Sequence, residues 1–348
     1  MLLAYNAARG VLPEFASKYS RKDFTLPQLF ACLAVKEQMG RTYRGAEALL
    51  LDADHWCKAI GMRKVPDHNT LCRAAGVILT RCRGDKLLDV LVRWASLARI
   101  LKLSLKPFAG DSTHFDERPC SRYFESRRGR GTGDAARRRK VKRLPKLAVG
   151  VAAACHLVVS FWAGAGAGSD SPYFERLLYD AWRRVPNKRF KAAFDAGFDG
   201  EHNHQIARRD MGIATLIPPA IGRPSKTGAA PRGRWRRHMG RVLATKRSRR
   251  RCGYTQRWQV ETVNSMLKRN LGSALRGKTK QSRIRDLRLK VLVHDLMVLR
   301  RKARVETEHS RPVRFSRPVR FSPFSRRGTV PLRQTANQIS ASTPLPFF

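Results

Sequence analysis

The first hundred residues place apolar side chains three and four positions apart, which is the pattern of amphipathic helices. It is clearest in TLPQLFACLAVKEQ, HNTLCRAAGVILTRC and DKLLDVLVRWASLARILK. Candidate N-caps precede these stretches at Thr25, Asp67 or Asn69, and Asp85. We therefore predict an all-helical N-terminal domain over residues 1–103. A DNA-binding helix-turn-helix and a plain packing role are both open for it.

From residue 104 the pattern changes to short apolar runs of strand length. These runs are SLKPFAGDS, KLAVGVAA, HLVVSFWA, RFKAAFDAGF and GIATLIPP. Two helical stretches, DSPYFERLLYDAWRRV and HNHQIARRDM, interrupt them. The order of three strands, helix, strand, helix and strand predicts an α/β domain over residues 104–304, with a mixed sheet flanked by helices.

One part of this domain needs a separate argument. Residues 147–168 carry no formally charged side chain, and the run of 22 positions is long enough to span a bilayer. It is mostly Ala and Gly, however, and its β-branched residues fall in two short groups. We therefore expect two buried strands, over residues 147–153 and 157–163, and no membrane helix.

Charge changes the picture more than any other property. The chain has 71 Lys and Arg residues against 26 Asp and Glu residues, a formal net charge of +45. Such an excess favours a polyanionic partner, with nucleic acid foremost. Two strongly basic stretches, residues 127–143 and 232–251, are predicted to be loops that contact phosphate. The repeated SRPVRF near the C-terminus predicts a disordered basic tail over residues 305–348.

Cysteine usage bears on the cellular compartment. The seven cysteines are scattered and show no C-x2-C spacing. This argues against a disulfide framework or a structural zinc site, and for reduced thiols in an intracellular protein.

Three acidic residues are the candidates for chemistry. Asp111 and Asp195 each close an apolar strand-length run, at the end of a strand where open α/β sheets form their ligand crevice. Glu261 lies in a helical stretch that can pack beside them. Three ionised carboxylates repel one another, so such a cluster needs a cation or raised pKa values, and oxygen ligands favour Mg²⁺. The plainer alternatives are that the aspartates only bond the following turns and that Glu261 only pairs with Arg257.

Glu261 shares one face of its predicted helix with other polar residues. A helix that begins at Tyr254 would place Tyr254, Arg257, Glu261 and Lys268 in one stripe roughly 60° wide. The opposite face is apolar and is predicted to be buried. In this arrangement the three neighbours of Glu261 could hold phosphates without reading bases.

The spacing Y-x2-R-x3-E-x6-K, with DSTHF at Asp111 and FDAGFDG at Asp195, resembles prokaryotic insertion-sequence transposases of the DDE type. The resemblance implies an RNase H-like catalytic core in the mixed sheet. It also implies that Asp111, Asp195 and Glu261 are catalytic metal ligands for Mg²⁺, which Mn²⁺ can replace. The residues implied to contact DNA are Tyr254, Arg257 and Lys268.

The resemblance further implies a reaction and its partners. The enzyme would cleave the ends of an insertion sequence and join the 3′-hydroxyl to target DNA by two-metal-ion phosphoryl transfer. Its partners would be terminal inverted repeats, target DNA and a second copy of the chain in a homodimer on the DNA ends, with no membrane. Its location would be cytoplasmic and nucleoid-associated.

Alternatives to this reading are open. The three acidic residues could have only a structural role in an inactive, transposase-derived DNA-binding protein. Alternatively, the protein could be a nuclease of the same fold that does not catalyse strand transfer. The interval of 261 − 195 = 66 positions leaves no room for a large β-rich insertion, so excision through a DNA hairpin stays undecided. His202 and His204 offer a weaker metal site, because capping and solvent exposure are commoner at a helix start.

Overall fold

The computed structural model describes residues 1–101, 107–117, 144–166, 168–185, 190–220 and 232–309. The predicted basic stretch 127–143 and the predicted tail beyond residue 309 lie outside these ranges. Side chains of the last helix are described as far as Lys302.

Helices fill the N-terminal region, as predicted. They are α1 (Leu2–Arg9), α2 (Leu26–Gln38), α3 (Tyr43–Asp52), α4 (Asp54–Lys58), α5 (His68–Ile78) and α6 (Arg81–Leu97). Thr25 caps α2 by accepting a hydrogen bond from the Gln28 N–H, and Asp67 caps α5 through the Asn69 and Thr70 N–H groups. These two predicted N-caps are confirmed.

The predicted N-cap at Asp85 is wrong. Helix α6 begins five residues earlier, because Thr80 accepts a hydrogen bond from the Arg83 N–H and caps the helix there. Gly84 is buried inside the helix and does not end it. Asp85 therefore lies one turn within α6, where its carboxylate faces Arg184 at 3.5 Å.

A five-stranded mixed sheet forms the second part of the chain. Its strands are β1 (Phe108–His114), β3 (Pro145–Ala152), β4 (Leu157–Ala165), β5 (Lys191–Phe194) and β6 (Ala214–Leu216), in the order β4-β3-β1-β5-β6. The first three are antiparallel neighbours, whereas β1, β5 and β6 run parallel. A small sheet pairs β2 (Asp116–Glu117) with β7 (Ala274–Leu275). The predicted α/β class and mixed sheet are confirmed.

The long uncharged run forms strands, as predicted. It supplies β3 and β4, which pair as a hairpin, and every residue of β3 is buried. None of the helices in the described ranges combines the length and the apolar character needed to cross a bilayer.

Six further helices surround the sheet or extend from it. They are α7 (Phe174–Arg184), α8 (Glu201–Gln205), α9 (Arg234–Val242), α10 (Lys246–Cys252), α11 (Trp258–Leu271) and α12 (Lys280–His309). Helices α7 and α12 pack on β3 and β4, and α11 packs on β1. Because α12 also packs against α2 and α6, the N-terminal helices and the sheet share one hydrophobic core.

The prediction that residues 232–251 form a loop is wrong, because they fold into α9 and α10. Arginine and lysine are good helix formers, so a basic stretch can be helical once its ends are capped. The Glu201 carboxylate accepts hydrogen bonds from the Trp235 and Arg236 N–H groups at 3.0 and 3.1 Å, and so caps α9 from a distance. Thr245 and Ser248 form a capping box at the start of α10.

Ion pairs join the N-terminal helices to the sheet layer. Arg183 of α7 donates two hydrogen bonds to the Asp89 carboxylate of α6, at 3.1 and 2.9 Å. Arg184 donates to the same carboxylate at 2.6 Å and to the Val159 carbonyl at 3.1 Å. A second, buried ion pair joins Lys290 of α12 to Glu37 of α2 at 2.8 Å.

Candidate active site

Asp111 and Asp195 meet at one edge of the sheet. Strands β1 and β5 pair in parallel, and the last paired residues are Gly110 and Phe194. The next residue of each strand is therefore an aspartate, so both carboxylates lie at the same edge. The predicted acidic cluster requires these two strands to be neighbours, and they are.

Asp111 is held in an environment that disfavours its charge. Burial raises the pKa of Asp111 to about 6, and the carboxylates of Asp195 and Asp170 act in the same direction, against a backbone hydrogen bond from Ser112. The Asn264 side chain of α11 donates from Nδ2 to Asp111 Oδ2 at 3.0 Å. Ionised Asp111 would be stabilised by any cation that reached this edge.

Asp195 bonds the turn that follows its strand. Its Oδ1 accepts a hydrogen bond from the Gly197 N–H and so caps the short 3₁₀ turn Ala196–Phe198. This is the plainer role that the sequence left open for Asp195. A Cβ on Gly197 would come within 2.9 Å of Asp195 Oδ1 and 3.3 Å of Asp170 Oδ2. The missing side chain at Gly197 therefore leaves both carboxylates room beside the same turn.

Asp170 is an acidic neighbour that sequence reasoning missed. Its Oδ1 accepts a hydrogen bond from the Ser112 hydroxyl at 2.7 Å and pairs with the buried Lys146 ammonium of β3. Lys146 also donates to the Gly168 carbonyl at 2.6 Å. In the sequence Asp170 resembles an ordinary residue before a helix start. It follows β4, and the sheet order β4-β3-β1 brings it beside Lys146 of β3 and Ser112 of β1. We call Asp111, Asp195 and Asp170 the acid edge.

Glu261 lies in the first turn of α11 and pairs with Arg257. Its side chain is 56% exposed. Within the described ranges, no three His, Cys, Asp or Glu side chains are grouped closely enough to hold a metal ion. The structure thus brings Asp111 and Asp195 together and keeps Glu261 with Arg257. The α11 residue that does contact Asp111 is Asn264, three positions after Glu261.

The predicted continuous helical stripe is wrong at its start. Tyr254–Arg257 is a 3₁₀ helix, and α11 begins only at Trp258. The tighter 3₁₀ winding changes the rotation per residue, so Tyr254 does not follow the helical pattern of Glu261 and Lys268. The predicted buried face of α11 is largely present, with Val260, Val263, Leu267 and Leu271 buried and Met266 half-buried.

The three predicted DNA contacts occupy different surroundings. Tyr254 is half-buried, and burial raises its pKa, so its hydroxyl stays protonated at neutral pH. Arg257 is close enough to Asp111 to affect its charge. Lys268, farther along α11, places Nζ 5.6 Å from the centre of the Phe115 ring. The phenol and the guanidinium therefore lie beside the acid edge, and the Lys268 ammonium lies beyond the end of β1.

The two histidines of the weaker metal hypothesis have different environments, because His202 is exposed and His204 is buried. His204 is fully buried, and its Nδ1 lies 2.7 Å from the Thr215 hydroxyl. Arg208 donates to the same hydroxyl at 2.7 Å, and the hydroxyl proton is thus directed to His204. The other ring nitrogen of His204 faces Asp199 Oδ1 at 3.7 Å. This arrangement is a buried structural network.

A strongly basic surface leads to the acid edge. Helix α10 exposes Lys246, Arg247, Arg249, Arg250 and Arg251. In the part of the chain that the structure describes, none of these five cations forms an ion pair with a carboxylate. Gly253, in the left-handed conformation with φ +89°, ends α10 and is followed directly by Tyr254. We call α9 and α10 the cationic arm, and it ends at the acid edge.

The cationic arm is anchored by the loop that follows Asp195. Within that loop, Glu201 caps α9, and the Asp199 carboxylate pairs with Arg236 at 2.6 Å. The Arg208 guanidinium lies over the Trp235 ring at 4.7 Å. Asp199 and Glu201 were not singled out in the sequence, although both lie in the FDAGFDGE motif around Asp195. The loop therefore couples the arm to the strand end that carries Asp195.

The acid edge supplies part of the ligand set that a hard divalent cation needs. Its side-chain donors are carboxylate oxygens, the ligand type that Mg²⁺ and Mn²⁺ prefer. Burial and the neighbouring carboxylates of Asp195 and Asp170 raise the pKa of Asp111, and a bound cation would favour its ionised form. Asp111 and Asp195 could hold the ion directly, and Glu261 could join them only after its side chain leaves Arg257.

A protein-family model described as "Transposase DDE domain" matches residues 111–296. The match covers more than half of the 348 residues. It begins at Asp111 and includes the cationic arm, Asp195 and Glu261. Searches of curated proteins and of solved structures gave no match.

Proposed function

Because the chain belongs to the Transposase DDE domain family, we propose that it cleaves the ends of an insertion sequence and joins the 3′-hydroxyl to target DNA. The observation that carries this proposal is the parallel pairing of β1 and β5, which brings Asp111 and Asp195 to one edge. The cationic arm beside that edge supports DNA as the substrate. The partners we propose are terminal inverted repeats, target DNA and a second copy of the chain on the paired ends.

The acids have defined roles in this mechanism. Asp111, Asp195 and Glu261 would hold Mg²⁺, or Mn²⁺ in its place, as a pair of ions. When bound, the ions polarise the scissile phosphate, activate the attacking hydroxyl and stabilise the leaving oxygen. Asp170, paired with Lys146, would hold the Ser112 hydroxyl in position next to the two aspartates that we propose to bind metal.

Arg257 would couple DNA binding to assembly of the acids. Without DNA its guanidinium is paired with Glu261. A DNA phosphate can accept two hydrogen bonds from a guanidinium and therefore competes with this exposed carboxylate. Once Arg257 binds phosphate, Glu261 is released and can turn toward Asp111. The metal-binding set is then completed only where DNA is seated.

The remaining contacts would seat the DNA. The Tyr254 hydroxyl can donate a hydrogen bond to a phosphate, because its raised pKa keeps it protonated. Lys268 and the exposed cations of α10 would neutralise phosphates on either side of the scissile bond. These contacts fix the position of the duplex but do not read its sequence. A protein with these partners would act in the cytoplasm at the nucleoid.

The test uses the full-length chain and donor DNA with matched terminal inverted repeats. Incubation with Mg²⁺ and a target plasmid should yield joined products, while EDTA or scrambled repeats should yield none. Cutting without joining would point instead to a nuclease of this fold. A joined product formed equally well from scrambled ends would contradict recognition of terminal repeats.

A second candidate function is DNA binding without cleavage. It is favoured by the pairing of Glu261 with Arg257 and by the use of Asp195 as a turn cap. In that case the same assay would show retained donor DNA and no cut strand, with or without divalent metal.

Protons and Mg²⁺ should compete at Asp111. Its folded pKa of about 6 lies above the ordinary value near 4, so the metal-free folded state binds the proton more tightly than the unfolded state does. The stability that this group contributes is therefore present below about pH 4 and is lost as the pH rises through about 6. Mg²⁺ should raise the melting temperature at about pH 7.5 and have little effect at about pH 5.

Thermal unfolding with Mg²⁺ and with EDTA at both pH values measures this effect. The Asp111→Asn variant is the matched control, because it removes both the proton site and the ligand. If Mg²⁺ raises the melting temperature equally at the two pH values, or still raises it in Asp111→Asn, the ion binds elsewhere.

A further inference from the structure

We propose that Asn264 is a positioning residue of the acid edge, which orients the Asp111 carboxylate for the divalent cation. The inference rests on the proposed function. Asn264 lies on the buried face of α11 between Val263 and Leu267 and is only 8% exposed. Its Nδ2 donates to Asp111 Oδ2 at 3.0 Å, and its buried Oδ1 has no hydrogen-bond partner among the described residues.

The orientation of the amide follows from its chemistry. A carboxylate oxygen only accepts hydrogen bonds, so the amide nitrogen must face Asp111 and the amide oxygen must point away from Oδ2. The assignment of Nδ2 and Oδ1 in the structure agrees with this requirement. An acceptor without a donor is thereby left beside the ionised carboxylate.

An unpaired buried acceptor is costly, which makes its presence informative. Leaving a buried polar atom without a partner costs about 1–3 kcal/mol, and the buried residues Val260, Val263 and Leu267 on the same helix are apolar. A fold selected only for packing has no use for this amide. The arrangement suits a site where water with polarised O–H bonds is present, and water bound to a divalent cation is such a donor.

The hydrogen bond also restricts Asp111. The terminal torsion of an aspartate is broad, so an unrestrained carboxylate samples many rotations about its Cβ–Cγ bond. Fixing Oδ2 on Asn264 limits this rotation at the edge shared with Asp195. Ligands held before the ion arrives bind it more tightly, because less freedom is lost on binding.

Asn264 further relates α11 to the acid edge. It lies three residues after Glu261, and residues at this spacing are neighbours on one side of a helix. The hydrogen bond from Asn264 to Asp111 therefore links α11 directly to β1. It brings the backbone of Glu261 to within one helical turn of the ligand it is proposed to join.

The principal variant is Asn264→Leu in the full-length protein. It keeps the branching of the side chain at Cγ and the apolar character of the buried helical face but removes both the donor and the unpaired acceptor. We expect the affinity of the DNA-free protein for Mn²⁺ to fall about 10–100-fold, the usual effect of losing a group that holds a metal ligand. The melting temperature in EDTA should change little, because the loss of an unsatisfied buried acceptor offsets the loss of the donor to Asp111 Oδ2.

The measurements separate metal binding from catalysis. Mn²⁺ binding is titrated in the absence of DNA, with Asp195→Asn giving the background from other sites. Asn270→Ala is the matched control, since Asn270 is an exposed asparagine on the same helix. Affinity for uncleaved DNA in EDTA should change less than about twofold for Asn264→Leu. Cleavage should recover most of its maximal rate when Mg²⁺ is raised.

The outcomes are distinct. If Asn264→Leu binds Mn²⁺ as tightly as the wild type, Asn264 has no positioning role and the inference is overturned. A lower melting temperature in EDTA with unchanged Mn²⁺ affinity would show a purely structural residue and would also overturn it. If the wild-type chain itself neither binds Mn²⁺ nor cleaves DNA, the proposed function fails, and this inference fails with it. Asn264→Ala provides the same readouts should the leucine not fold.

Discussion

Replacing Glu261 by glutamine should slow DNA cleavage by about 10³-fold or more while leaving DNA affinity nearly unchanged. Charge stabilisation by a correctly held metal ion contributes several kcal/mol, and each 1.36 kcal/mol corresponds to a factor of ten in rate. Glutamine keeps the size of the side chain and loses the negative charge that a metal ligand needs. It also breaks the ion pair with Arg257, which frees that guanidinium for phosphate.

Single-turnover cleavage of labelled donor DNA, with binding measured separately in EDTA, tests this expectation. Glu175→Gln is the matched control, because Glu175 is an exposed glutamate in the first turn of α7. Wild-type cleavage by Glu261→Gln would remove Glu261 from the catalytic set. A variant that loses both cleavage and DNA affinity would indicate instead that the residue supports the fold or the DNA seat.

Affinity for duplex DNA should fall about 10³-fold or more between 50 and 200 mM salt. A protein that neutralises roughly six to ten phosphates releases as many bound counterions, and the logarithm of its affinity falls by about 0.9 per phosphate per decade of salt. The exposed cations of α10 are unpaired with carboxylates in the described structure and are available for this role. Changing Arg247, Arg250 and Arg251 to glutamine should therefore reduce the slope by about three units.

Fluorescence anisotropy over a salt series measures the slope. A triple glutamine variant at Arg300, Arg301 and Lys302 is the control, because these exposed cations lie at the other end of the sheet. Lys302 there is close enough to Cys155, in the turn between β3 and β4, to affect its charge. Equal slopes for wild type and the α10 variant would show that the cationic arm does not contact phosphate.

The sequence predicted those parts of the fold that depend on local pattern. Short apolar runs predicted β3, β4 and β5, because buried strands need continuous apolar side chains. The adjacency of β1 and β5, which was only a condition in the sequence argument, required the sheet order. The boundaries of α6 and of the Tyr254 segment were wrong, since a single side-chain cap at Thr80 and a turn of 3₁₀ helix leave no mark in apolar periodicity.

The site could be predicted only in part. Asp111 and Asp195 follow apolar runs, so their placement at a strand end can be read from the sequence. Asp170 and Asn264 reach the acid edge through contacts between residues 58 and 153 positions apart in the chain, which no local pattern encodes. The basic stretch was mistaken for a loop because its cap, Glu201, lies more than thirty residues before it.

The ion pairs between Asp89 of α6 and the two arginines of α7 determine whether this protein can be truncated. Residues matched by the family begin at Asp111, yet their hydrophobic core includes side chains of the helices before them. Deletion of the first hundred residues would remove α2 and α6 from the shared hydrophobic core and expose the remaining core leucines to water. Arg184 would lose Asp89, the carboxylate with which it pairs. A chain that lacks these residues should therefore aggregate. The N-terminal helices are part of the hydrophobic core, independently of any contact with DNA.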